Sequence, residues 1–173
     1  MTQDYASTVT GMSSEARVWV ALKYAAGKGI VNRNCLCGNM CDEYAEWIVK
    51  YSKQYGVFDP MLVASLMMQE SGCTNEGCNS AGYAGLMQIS CTISGWQNTE
   101  TNIKAGIREL RGKYDTYRNG MVFEGCSGRR ILYTEWKAAL RGYNGWGCDP
   151  SLPEQDYYVD EIWSRFQSLK KVT

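Results

Sequence analysis

Glu70 is the residue whose surroundings best fit it to give and take a proton. It follows an apolar run, Met61-Leu62-Val63-Ala64-Ser65-Leu66-Met67-Met68, and precedes Ser71 and Gly72. The run reads as a mostly buried helix with Asp59 as N-cap and Pro60 as its first residue. A carboxyl emerging half-sunk from the inner edge of such a helix has its charged form disfavoured, so its pKa is expected to rise. That would keep a proton available near neutral pH for a leaving oxygen. The bland alternative is a charge that merely ends a helix, although the negative end of the helix dipole disfavours a carboxylate there.

Other chemistries are narrowed by what the chain lacks. It contains no histidine, which removes Ser-His-Asp and Cys-His nucleophilic catalysis and most catalytic zinc sites. Carboxylate chemistry remains, with no metal or cofactor expected. Eight cysteines, Cys35, Cys37, Cys41, Cys73, Cys78, Cys91, Cys126 and Cys148, form an even set, which favours disulfides and an oxidising compartment. On the order of a hundred pairings of eight cysteines are possible, and spacing does not choose among them. Structural zinc is the alternative for the cluster Cys35, Cys37 and Cys41, but these lack the paired Cys-x-x-Cys spacing.

Eighteen basic and eighteen acidic residues cancel, leaving no field to hold nucleic acid or anionic lipid. No apolar stretch reaches the roughly eighteen residues of a membrane span. The opening Met1-Thr2-Gln3-Asp4-Tyr5 lacks the basic-then-apolar layout of a secretion signal, so a trimmed signal or another export route is expected. The 173 residues, 45% hydrophobic and 21% charged, suit one compact, monomeric domain. Within it, residues 1–34 read as an N-terminal extension with a packing helix, and residues 35–173 as the main body.

The elements that must position Glu70 are helical. Apolar residues recur at helical spacing over 13–26 (Val18, Trp19, Leu22, Ala25, Ala26, stopped by Gly27 and Gly29), with residues 1–12 expected to be poorly ordered. They recur again over 40–55 (Tyr44, Trp47, Ile48, Tyr51) and over 100–118 (Ile103, Ile107, Leu110, Tyr114). The helix before Glu70, a short helix over 85–90, and segments 134–143 and 153–169 complete a mainly α fold of about seven helices, stapled by disulfides. Almost nothing alternates with period two.

Asp59-Pro60 before an apolar helix, Glu70-Ser71, Gly85-Leu86-Met87-Gln88, Asn102-Ile103-Lys104-Ala105-Gly106 and Tyr143-Asn144 occur in that order. Together they resemble the soluble lytic transglycosylase family, which has a lysozyme-like fold. The match runs from residue 59 to 145, and Tyr158-Val159 extends it to about residue 162. The resemblance implies a peptidoglycan substrate, with Glu70 protonating the glycosidic oxygen between N-acetylmuramic acid and N-acetylglucosamine. The same glutamate then acts as base while the muramyl C6 hydroxyl closes a 1,6-anhydro ring. It implies a cleft floor of Met87 and Gln88, with Gln88 bonding the glycan and Met87 packing on sugar faces or filling core. The resemblance also implies that Tyr143 lies near the catalytic carboxyl, that Asn144 holds an N-acetyl group and that Tyr158 is a second cleft tyrosine, with Tyr157 the fallback if the register slips by one. Gly85 lets backbone approach substrate closely, and Ser71 bonds locally in support of Glu70.

Two positions depart from the family pattern. Asn79 stands where a serine is usual, and Gly145-Trp146-Gly147-Cys148 replaces Ala-Gly, making Trp146 either a sugar-stacking face or a disulfide-anchored wall. Goose-type lysozymes share some of these signatures but carry aspartates after the glutamate, whereas Tyr83 to Ser94 here contains no acid. Glu76, the sole other acid between Glu70 and Glu100, is expected on a different surface unless its loop folds back. A lysozyme-like hydrolase is therefore the first alternative, and a non-catalytic glycan-binding domain the second. An extracellular or cell-envelope location follows, virions included.

Overall fold

Residues 11–25 and 34–173 are described by a computed structural model. Residues 1–10 and 26–33 fall outside it, and with them Ala26, the Gly27 and Gly29 stop, and most of the extension. The α-helices are α1 (Ser14–Ala25), α2 (Cys41–Tyr55), α3 (Pro60–Ser71), α4 (Thr99–Tyr117), α5 (Glu135–Asn144) and α6 (Tyr158–Val172). Two antiparallel hairpins join them, β1 (Tyr83–Ala84) with β2 (Ile89–Ser90), and β3 (Met121–Glu124) with β4 (Arg130–Tyr133).

Helix α3 is apolar on every face, and this explains its central place: a helix with no polar stripe must be surrounded. Met61 to Met68 are all buried, with α1, α2 and α6 packed around them. Asp59 caps the start by accepting from the Met61 N–H at 3.0 Å. Gly72, left-handed at φ 61°, ends it by donating to the Met68 carbonyl, so Glu70 falls in the last turn. Val18, Ala21, Leu22 and Ala25 of α1 join the same core as residues from α2 to α6.

Six of the seven expected helices are present among the described residues, the last one opening with a 3₁₀ turn over Pro153–Tyr157. The seventh, over 85–90, is corrected to the β1–β2 hairpin. Gly85 and Gln88 have φ of 76° and 48°, values an α-helix does not admit, and the Gln88 N–H returns to the Gly85 carbonyl at 3.2 Å to close the turn. The β3–β4 hairpin escaped period-two reading because Met121, Val122 and Phe123 are consecutive apolar residues. Only Phe123 of the three is buried, while Met121 and Val122 face out.

The cysteines pair as Cys35–Cys73, Cys37–Cys41, Cys78–Cys91 and Cys126–Cys148, and none is free. The Cys35, Cys37, Cys41 cluster is thus divided between two bridges. Cys35–Cys73 fastens the chain just beyond Glu70, and Cys78–Cys91 closes the segment carrying the β1–β2 hairpin. Protein denatured without reductant is expected to expose no titratable thiol. Eight thiols with stoichiometric zinc would contradict the pairing. Among the described residues, no helix is long and apolar enough to cross a membrane.

Candidate active site

The site is assembled where the end of α3 meets the β1–β2 turn, the end of α5 and the start of α6. Asn102 of α4 holds the β1–β2 turn in place. It is fully buried, and its side chain donates to the carbonyls of Ala84 and Trp96, both at 3.1 Å, while accepting from the Met87 N–H at 2.8 Å. A Cβ on Gly85 would lie 2.0 Å from the Asn102 amide nitrogen. Glycine is therefore required by both close approach and positive φ. Gly106, one turn further along α4, leaves room for Met87, whose Cβ would be 2.4 Å from an added methyl.

Glu70 is partly exposed and accepts a hydrogen bond from the Tyr158 hydroxyl at Oε1. Tyr143 lies alongside, its hydroxyl donating to the Met87 carbonyl at 2.7 Å. Burial pushes both phenols well above their ordinary range, and the charge of Glu70 adds to the rise. Both therefore remain protonated donors at any physiological pH. Tyr157 is excluded as the cleft tyrosine: it is 48% exposed, with the Arg129 guanidinium 4.4 Å from its ring centroid.

Two cavities meet at Glu70. One, of about 330 Å³, is lined by Glu70 with Asn79, Tyr83, Gln88 and Tyr143; the other, of about 460 Å³, by Glu70 with Gln69, Glu154, Tyr158 and Glu161. Asn144 and Gln155 line both, so the pair reads as one groove with the carboxyl at its middle. Gln88, held at positive φ, is wired into the rim. Its Oε1 accepts from Asn79 Nδ2 at 3.1 Å, and its Nε2 donates to the Gly85 carbonyl at 3.0 Å and to Glu76 Oε2 at 3.4 Å. Backbone strain of this kind concentrates where side-chain aim matters.

Several sequence expectations change in detail. The Met87 side chain is fully buried, so it fills core instead of touching sugar, and its share in the site is the carbonyl held by Tyr143. Ser71 is buried and bonds the Leu86 carbonyl at 2.7 Å, tying helix to hairpin without facing the groove. Trp146 turns inward, its ring 5.1 Å from that of Tyr117, which makes it part of a wall anchored by Cys126–Cys148 and not a stacking face. Glu76 does fold back, onto Gln88, so it lies at the groove rim and not on a separate surface. Gln69, Tyr83, Glu154, Gln155 and Glu161 were missed. The signal for Gln155 and Glu161 was their spacing, three residues either side of Tyr158, which favours a shared face on helical backbone.

A family model described as Transglycosylase SLT domain matches residues 46–149. The chain belongs to this family. The SLT match takes in Glu70, the β1–β2 hairpin, Asn102, Tyr143 and Asn144 and stops short of Tyr158, which the fold itself brings to Glu70. Membership supports a peptidoglycan-lytic function in general terms, and with four disulfides it fits an extracellular or envelope setting. No solved structure matches the chain.

Proposed function

We propose that this SLT domain is a lytic transglycosylase that cleaves the β-1,4 bond between N-acetylmuramic acid and N-acetylglucosamine, with Glu70 as the single acid–base residue. The observation that carries the reading is that Glu70 lines both halves of the groove and, among the described residues, is the only carboxylate lining the Gln88 half. Protonated Glu70 gives its proton to the bridging oxygen as the bond to the muramyl anomeric carbon breaks. The carboxylate then takes the proton of the muramyl C6 hydroxyl as that oxygen bonds the anomeric carbon, giving a 1,6-anhydro ring. Proton and electron pairs balance within the substrate and Glu70, and no water is consumed.

The remaining groups have roles that follow from their placement. Tyr158 donates to one oxygen of Glu70, fixing the rotamer from which the proton is transferred. Asn144 sits where both cavities join and suits an acetamido group; Gln88, steadied by Asn79, offers an amide to the sugar hydroxyls. Glycosidases that use water normally pair two carboxylates across the bond. The other acids on this groove suit that task poorly: Glu161 is engaged by Gln69 Nε2 at 2.9 Å, Glu154 is exposed, and Glu76 is exposed and turned to Gln88. Turbidity of purified sacculi is expected to fall on adding the protein. Intact turbidity with intact binding would favour the glycan-binding alternative.

A further inference from the structure

Arg141 is, with Arg165, the largest of the side chains buried almost completely, at 1% exposure, and neither the family motif nor the reaction above uses it. Two backbone carbonyls of the groove walls hold its guanidinium. Nε donates to Gly145, next to Asn144, at 2.8 Å, and Nη1 donates to Gln155 at 2.7 Å. The Gln155 carbonyl also receives the backbone N–H of Tyr158. On its faces the guanidinium carbon lies 4.4 Å from the Phe123 ring centroid and 5.7 Å from that of Tyr158. Arg141 is therefore linked to the tyrosine that bonds Glu70 in two ways, through the Gln155 carbonyl that it shares with the Tyr158 N–H and across the Tyr158 ring.

A buried guanidinium is costly. Burial pulls its pKa down, against the pull of Tyr158, Tyr133 and Asp156, yet arginine keeps its charge in proteins. Well-packed apolar replacements for buried charges are often neutral or stabilising, so folding alone gives little reason for it. A plain helix-end staple would account for the Gly145 bond, but not for the second carbonyl and the two rings. We propose that Arg141 is a positioning residue for the reaction, holding Tyr158 in the place from which it donates to Glu70. The inference rests on the assignment of Glu70 as the acid–base residue.

A double-mutant cycle on a defined glycan oligomer tests it, with Arg141→Lys, Tyr158→Phe and the combined variant. Lysine keeps the charge but lacks the planar fork that spans two carbonyls. Arg141→Lys is expected to lower kcat by about 10- to 100-fold through misplacement of the tyrosine, with KM changed by about twofold or less. The combined variant should be no more than about twofold slower than Tyr158→Phe alone, since effects acting through one group do not add. A merely structural arginine would give additive losses, or a drop in active fraction that moves with thermal unfolding, and either result overturns the proposal. Should Arg141→Lys not fold, Arg141→Gln takes its place in the cycle; if neither folds, Arg141 is structural and the proposal is wrong. An active Glu70→Gln variant would overturn the reading of the site, whereas an inactive one with an additive cycle overturns only the role of Arg141.

Discussion

Replacing Glu70 with glutamine is expected to slow glycan cleavage by about 10²- to 10⁴-fold, the usual contribution of general acid–base assistance. The amide has the shape of the carboxyl and can still accept from Tyr158 at its oxygen, so the groove and its affinity for glycan should survive. What disappears is the transferable proton. The result is read as the initial rate of turbidity loss, beside sedimentation of the variant with sacculi to confirm binding. Retention of more than about a tenth of the rate is too small a loss for removal of the acid, and it would end the assignment.

The second large effect falls on stability. Asn102→Ala removes a fully buried amide that joins three backbone groups, the Met87 N–H and the carbonyls of Ala84 and Trp96. Each group left buried without a partner costs about 1–3 kcal/mol. The sum is a large part of the roughly 5–15 kcal/mol that holds a domain folded. Denaturant unfolding should therefore show a loss of at least about 3 kcal/mol, with the β1–β2 turn and Gln88 released. Asn102→Asp is the sharper comparison, because it keeps the acceptor for Met87 and loses both donations. A loss under about 1 kcal/mol for Asn102→Ala would mean that the turn is held some other way.

Helix α3 was legible in the sequence because Asp59, Pro60 and Gly72 mark its ends by local chemistry, and its unbroken apolar surface says that it is central. The β1–β2 turn was not, since Leu86, Met87 and Ile89 look like a helical cluster until the left-handed positions of Gly85 and Gln88 are known. Those positions are imposed by Asn102, a contact fifteen or more residues away. Asn102 was visible as part of a motif, but its work as a three-way junction is tertiary and leaves no local trace. Glu70 stands out by its place at the end of an apolar helix, Tyr143 and Tyr158 by resemblance, and the fold gathers all three. Met87 could be read as packing on sugar or filling core and Trp146 as a stacking face or a wall, and packing settles both inward, with Ser71 bonding the hairpin beside them. Spacing names the residues near a site; it does not say which atoms of them face it.

In the proposed reaction the anomeric carbon is captured by the substrate's own hydroxyl instead of water. A C6 hydroxyl held against that carbon has an effective concentration of about 10⁵ M or more when geometry is good, far above that of a loosely held water. Mass spectrometry of glycan fragments released from sacculi tests this directly, because the two outcomes differ by the mass of one water. The wild-type protein and its Glu76→Gln, Glu154→Gln and Glu161→Gln variants alike are expected to release 1,6-anhydromuramyl ends without reducing groups. Predominantly reducing muramic acid ends, lost when Glu76, Glu154 or Glu161 is replaced by glutamine, would contradict the proposed reaction and make the protein a hydrolase with two carboxylates.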